Sequence, residues 1–349
     1  IFGGMSKEQI ASMRSSFGDK ASIKYGMNPA DLLESYTEVL KAGIPEKVAS
    51  EFTDAILKGA IGIDLSTIDT TKLVARAASL TGDLENLDPA KVKSMMNAIA
   101  IANNVTAASG NEIVAANHRG TGVLSSSKMT MEQLSAFTAA GISGGMQSAK
   151  AGTFMDFLVN DLVNAKNTKG ERRLQLNKFG NMLGMGGGAG LSAAMGQNPT
   201  QTIVSILDKM GAMSEGDRAK AGNLLGMREW RGELGILVQG RAKVKEILEK
   251  ITDPKNANFL DEASEQKVSN LTGRWKSFKS ALLLAWEAVG KGFDDVFVEV
   301  TGSLTDILGK LDRSAIAGHI RGAMQGVLSG LGFNTWKDAI ESLIGKPGA

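Results

Sequence analysis

Cysteine is absent from this chain, so no disulfide can hold it together and the redox compartment cannot be read from its thiols. Histidine is almost absent too: His118 and His319 stand far apart, and neither sits in a helical metal-ligand spacing such as HExxH. No zinc site and no cofactor are expected. Aromatic residues make up only 5% of the 349 positions, so the apolar surface is built mainly from Ala, Met, Leu, Ile and Val. Such side chains let helix backbones approach closely but give shallow contacts, which predicts a loosely globular or extended helical assembly. Charge of one sign is missing as well. The 39 basic and 37 acidic residues leave a formal net charge of +2, no footprint for sequence-independent nucleic-acid binding. No run of β-branched residues alternates at period two for long enough to make a sheet. The fold class is therefore all-α.

Glycine is plentiful, at 42 residues against a usual ~7% of a chain, and apolar residues at 43% exclude disorder by composition. Residues 28–251 read as a core region of short helices joined by Gly turns, after an N-terminal segment 1–27. Asn28-Pro29 and Asp88-Pro89 each place a cap before Pro at the first helical position. Thr130 and Gln133 have the spacing of a capping box, and Gly141 reads as the stop. Residues 252–264 are polar and contain Pro254, as a linker would. Ile1 in place of Met, the lack of a basic-then-apolar leader and the stop at Lys346-Pro347-Gly348-Ala349 lead us to expect a piece of a longer chain.

Beyond the linker, residues 265–349 read as long amphipathic helices in an extended, bundle-forming segment. Leu271, Trp275, Phe278, Leu282, Ala285, Val289, Phe293, Val296, Val300, Leu304, Ile307 and Leu311 recur at steps of three and four. Eleven-residue steps at Leu271, Leu282, Phe293 and Leu304 keep an apolar seam nearly straight along a bundle. A seam of this kind is buried by partner copies, so self-association is expected. Gly290, Gly292 and Gly302 each cost about 1 kcal/mol in a helix interior and mark where the helix can break.

From Phe179 to Leu207 no residue is charged, and Gly184, Gly186, Gly187 and Gly188 crowd the first part. A P-loop needs Lys and Ser/Thr after its last glycine, whereas Leu191-Ser192-Ala193 follows here. Three readings of residues 179–196 remain: a flexible hinge, a close helix crossing through Gly180, Gly184 and Gly188, or a membrane-active segment. Ser125, Ser126 and Ser127 near His118 lack a GxSxG frame, and no catalytic residue is assigned. The 16 methionines fall mostly at helical spacing, as core filling does.

The stretch Met129–Leu162 contains Met131-Glu132-Gln133-Leu134, Ala140-Gly141-Ile142 and Ala151-Gly152-Thr153 ahead of a Phe/Leu/Met-rich helix. It resembles the central signature of the phage tail tape measure proteins: an "EQL" helix start, an "AGI" turn, then "AGT". Residues 198–210 and 222–238 resemble two downstream elements of that family in the same order, so the likeness covers roughly residues 30–250. Two departures stand out: Phe154-Met155 where the family often has Arg, and Leu225-Gly226 in place of its Phe-Gly. Some members add a peptidoglycan hydrolase or peptidase domain, whose residues are not found here.

The resemblance implies a non-enzymatic length template in the virion, lying in the tail tube lumen and ending at the tail tip. It implies several parallel copies, three in the usual family picture, with the tail tube protein and the tip or baseplate hub proteins as partners. It also implies exit from the tail at DNA ejection, with DNA passing without specific binding and the host membrane as a contact. The alternative reading is a membrane-perturbing, pore-forming helical protein, which an uncharged apolar span of about 20 residues would favour.

Overall fold

The computed structural model describes residues 10, 11, 13–81, 88–225 and 229–270, with 276, 277, 279, 280 and 283 beyond them. The chain divides into two units, Ile1–Ser277 and Phe278–Ala349, and the helices named below all belong to the first. All seam positions from Leu271 to Leu304, including Trp275, Phe278, Leu282, Val289, Phe293, Val296 and Val300, lie outside the described residues.

Sixteen α-helices and no strand occur among the described residues, as the all-α reading requires. After a π-helical turn at Arg14–Gly18 come α1 (Asp19–Tyr25), α2 (Pro29–Lys41), α3 (Glu46–Ile63), α4 (Thr67–Thr81) and α5 (Pro89–Val105). Next are α6 (Gly110–Arg119), α7 (Gly122–Ser126), α8 (Met131–Ser143), α9 (Ser148–Val163), α10 (Gly170–Met182) and α11 (Gly187–Gln197). The series ends with α12 (Pro199–Gly211), α13 (Glu215–Leu224), α14 (Arg231–Gln239), α15 (Arg241–Thr252) and α16 (Phe259–Ser269).

Helix starts follow local chemistry. Asn28 and Asp88 each accept a hydrogen bond from the N–H two residues on, at 2.9 Å, with Pro at the first helical position. Thr130 and Gln133 form the expected capping box, and Ser109 with Glu112 form a second. The Ser109 backbone N–H, donating to Glu112 at 2.9 Å, is the main reason that carboxyl is held below its ordinary range.

The expectation of loose packing does not hold for this unit. Phe52, Phe137, Phe154 and Phe179 are fully buried within one continuous apolar cluster. Few aromatics suffice because these four are fully buried. Helix α8 lies at the centre, packed against α5, α6, α9, α14 and α15.

Pro254–Asn256 forms a single 3-10 turn, and α16 then lies against α3 and α5 with Leu260 fully buried. The Asn97 side chain fixes the return: its amide donates to the Asn256 carbonyl and its oxygen accepts from the Leu260 N–H, both at 2.8 Å. An ion cluster closes the same contact. Lys58 meets Asp261 at 2.8 Å and Asp54 at 3.1 Å, and Lys93 meets Asp261 at 2.6 Å. Burial opposes the Asp261 charge but is outweighed by Lys58 and Lys93, so its carboxyl titrates below the ordinary range. A depressed carboxyl contributes stability above its unfolded pKa of about 3.9, and that stability is lost as pH falls through the folded value. Asp261→Asn is therefore expected to cost about 1–2 kcal/mol at pH 7. The gap between variant and wild type in urea denaturation should narrow at pH 3; an equal gap at both pH values would refute the pairing.

Candidate functional site

The segment Met129–Leu162 folds as the α8–α9 hairpin. Thr130 opens it, its Oγ1 accepting from the Gln133 N–H at 3.3 Å while Gln133 Oε1 accepts from the Thr130 N–H at 3.0 Å. Ala140-Gly141-Ile142, expected to be a turn, is the buried last part of α8. The reversal comes at Gly145, whose φ is +103°, a left-handed conformation suited to glycine. Gly145 N–H donates to Ile142 O at 2.9 Å and Met146 N–H to Gly141 O at 3.0 Å, the paired bonds of a Schellman end. Gly141 serves the same turn from inside the helix. A Cβ there would stand 2.9 Å from the Met146 sulfur, which folds back over it.

Gly152 of Ala151-Gly152-Thr153 is where α9 crosses α6. A Cβ at this position would lie 1.9 Å from the Ala116 carbonyl oxygen, so only glycine allows the two backbones their separation. Phe154 and Met155, where the family resemblance lapses, are both buried, which suits apolar side chains. Phe154 and Phe157 reach Trp230 with ring centroids 6.0 and 6.4 Å away, joining α9 to the start of α14. Between α6 and α8 runs a polar chain with no exposed member. The Asn117 amide donates to Ser135 Oγ, and Thr138 Oγ1 donates to Asn117 Oδ1, both at 2.7 Å. Each partner is satisfied, so the chain fixes the register of the two helices instead of penalising their burial.

The Gly-rich segment 179–196 comprises the end of α10, a left-handed turn and most of α11. Gly184, Gly186 and Gly187 have φ between +65° and +74°. Gly180 and Gly188 sit at a close crossing: a Cβ on Gly180 would come within 2.4 Å of the Gly187 carbonyl oxygen, and one on Gly188 within 3.0 Å of the Ala165 oxygen. Gly184 takes no part in the crossing and faces open space. Phe179, Leu183, Leu191 and Met195 are buried, and Met182 and Met185 half-buried, so the apolar side chains of the segment point into the unit. Among the described residues no helix is long and apolar enough to cross a membrane.

No local sequence signal points to the clasp around Arg172. Its guanidinium pairs with Asp161 and donates to the Leu225 carbonyl at 2.8 Å and the Leu224 carbonyl at 3.2 Å, tying α9, α10 and the end of α13 together. Those partners lie 11, 53 and 52 residues away, beyond any local pattern. Burial raises the Asp161 carboxyl more than Arg172 lowers it.

Ser125, Ser126 and Ser127 each donate to a backbone carbonyl of α7. His118 is half-buried, and burial followed by the charge on Arg76 holds its imidazole below the ordinary range. No group of three His, Cys, Asp or Glu that could hold a metal occurs among the described residues.

Residues 15–226 match the protein family described as phage-related minor tail protein, a span of more than half the chain that includes the whole α8–α9 hairpin and the Gly-rich crossing. No curated protein and no solved structure matches the chain.

Proposed function

This chain belongs to the phage-related minor tail proteins, a structural family of the virion tail, and from that membership we propose that it is the tail's length template. The observation that carries the reading is one of placement. The family match covers residues 15–226 of the packed unit, and the hairpin that resembles the tape measure signature lies at the centre of that unit. The role is architectural, without catalytic turnover, and its place is the tube lumen and tail tip. Its partners are the tube protein, the tip or hub proteins and further copies of itself, three by family resemblance. Self-association falls to the apolar seam from Leu271 to Leu311. The packed unit is a folded body of fixed size, so within this chain the length-converting part is the amphipathic segment that follows it. DNA ejection then requires the whole protein to leave the tube.

An α-helix rises 1.5 Å per residue, so chain length in an extended segment converts linearly into tube length. Two extra hendecads inserted between Leu282 and Phe293, in virions that carry this chain, should lengthen the tail by about 33 Å. Electron micrographs of tails supply the measurement. Tails of unchanged mean length would sink the proposal.

A further inference from the structure

Helices α4 and α6 lie side by side and, with the start of α9, enclose an open recess of about 690 Å³. Its charged lining is lopsided. Lys72 and Arg76, one turn apart on α4, face His118 and Arg119 at the end of α6, with Asp69 as the lining carboxylate. Asp156 of α9 lies near enough for Arg76 to lower its proton affinity, though burial raises that affinity more. Five of the other described arginines are engaged, whereas Arg173, exposed on α10, is not. Arg14, Arg172, Arg218, Arg231 and Arg241 each hold a carboxylate, an amide or a backbone carbonyl. Among the described residues Arg76 and Arg119 hold none, and Lys72 pairs with no carboxylate. The mutual effect is visible at His118, whose imidazole is disfavoured as a cation by burial and then by Arg76, Arg119 and Lys72, with Asp69 opposing.

We propose that this recess is a binding site for a phosphate group, gripped by Arg76 and Arg119 from two helices with Lys72 beside them. Guanidinium forks match phosphate oxygens in pairs, which a lone ammonium cannot do. The recess is within the size range of small-molecule sites, yet its apolar lining is limited to Val114 and Ala115, with no Phe, Tyr or Trp among its lining residues. The recognised chemistry is thus the phosphate, whether free or in a phosphodiester backbone. The near-zero net charge of the chain hides this local excess. The inference does not depend on the length-template reading.

A bound anion favours the protonated imidazole, so His118 reports occupancy directly. In the full chain, its imidazole resonances should shift on addition of pyrophosphate and its pKa should rise, with binding tightening as pH falls. Arg76→Gln/Arg119→Gln should weaken binding at least tenfold, since each arginine loses charge-assisted hydrogen bonds. Neither side chain holds a partner among the described residues, so circular dichroism should be unchanged; Lys72→Gln is the milder variant should the double substitution misfold. A short DNA duplex forms the second arm, and a shift at lower concentration than pyrophosphate requires would identify a backbone phosphate as the ligand. Resonances unmoved by either ligand at millimolar concentration, or equal affinity in the double variant, would overturn the proposal. So would a response to polyglutamate alone, which would make the recess a dock for acidic polypeptide.

Discussion

Gly152→Ala should destabilise the protein by about 3 kcal/mol or more, although it adds only one methyl group. The new Cβ would stand 1.9 Å from the Ala116 carbonyl oxygen and 3.0 Å from the Gly120 nitrogen, both backbone atoms that cannot rotate away. Relief requires α6 and α9 to part. That movement would uncover Phe154 and strain the Asn117–Ser135–Thr138 chain on the other side of α6. In a domain above 200 residues, 1 kcal/mol corresponds to roughly 2–4 °C, so the melting temperature should fall by roughly 6–12 °C. Gly235→Ala makes the opposite control. It lies inside α14 with nothing within 4 Å of the added atom, and a helical Gly→Ala change gains up to about 1 kcal/mol. Equal melting temperatures for Gly152→Ala and wild type would mean that the two helices can part without loss.

Leu191→Asp should be more damaging still. Leu191 has no exposed surface, so the substitution loses about 1.5–3 kcal/mol of apolar burial and places a carboxyl where nothing compensates it. The expected total exceeds about 4 kcal/mol, enough to unfold a marginal protein. Leu174→Asp is the companion change: this leucine is 60% exposed on α10, and its replacement should fall within about 0.5 kcal/mol of wild type. Urea denaturation of both separates the readings of the Gly-rich segment. Wild-type stability in Leu191→Asp would mean that the segment spends its time away from these contacts, as a hinge ready to release would.

Helix starts were legible because their chemistry is local: Asn28-Pro29, Asp88-Pro89 and Thr130 with Gln133 carry their partners within three residues. Glycine was harder to read, since it serves two ends. Gly141 suggested a stop, yet it sits inside α8 to admit Met146, and the left-handed residue is Gly145. The bond from Leu260 to Asn97, 163 residues earlier, lay beyond any local pattern around Pro254. Motif likeness picked out Gly152 without its reason, which lies in the Ala116 carbonyl of another helix. The cationic recess left no trace in the sequence, because its lining is spread from Asp69 to Thr153.

The return of α16 to α3 and α5 also imposes an order of events during synthesis. Asn97 and Lys58 leave the ribosome long before Leu260 and Asp261 exist to cover them. At about 5–20 residues per second, the 163 residues from Asn97 to Leu260 take roughly 8–33 s to make. Throughout that interval the apolar groove that receives Leu260, shaped by Gly62, stands open to water and to other nascent chains. The unit therefore finishes folding late, and a ribosome stalled before residue 260 leaves a sticky, unfinished body.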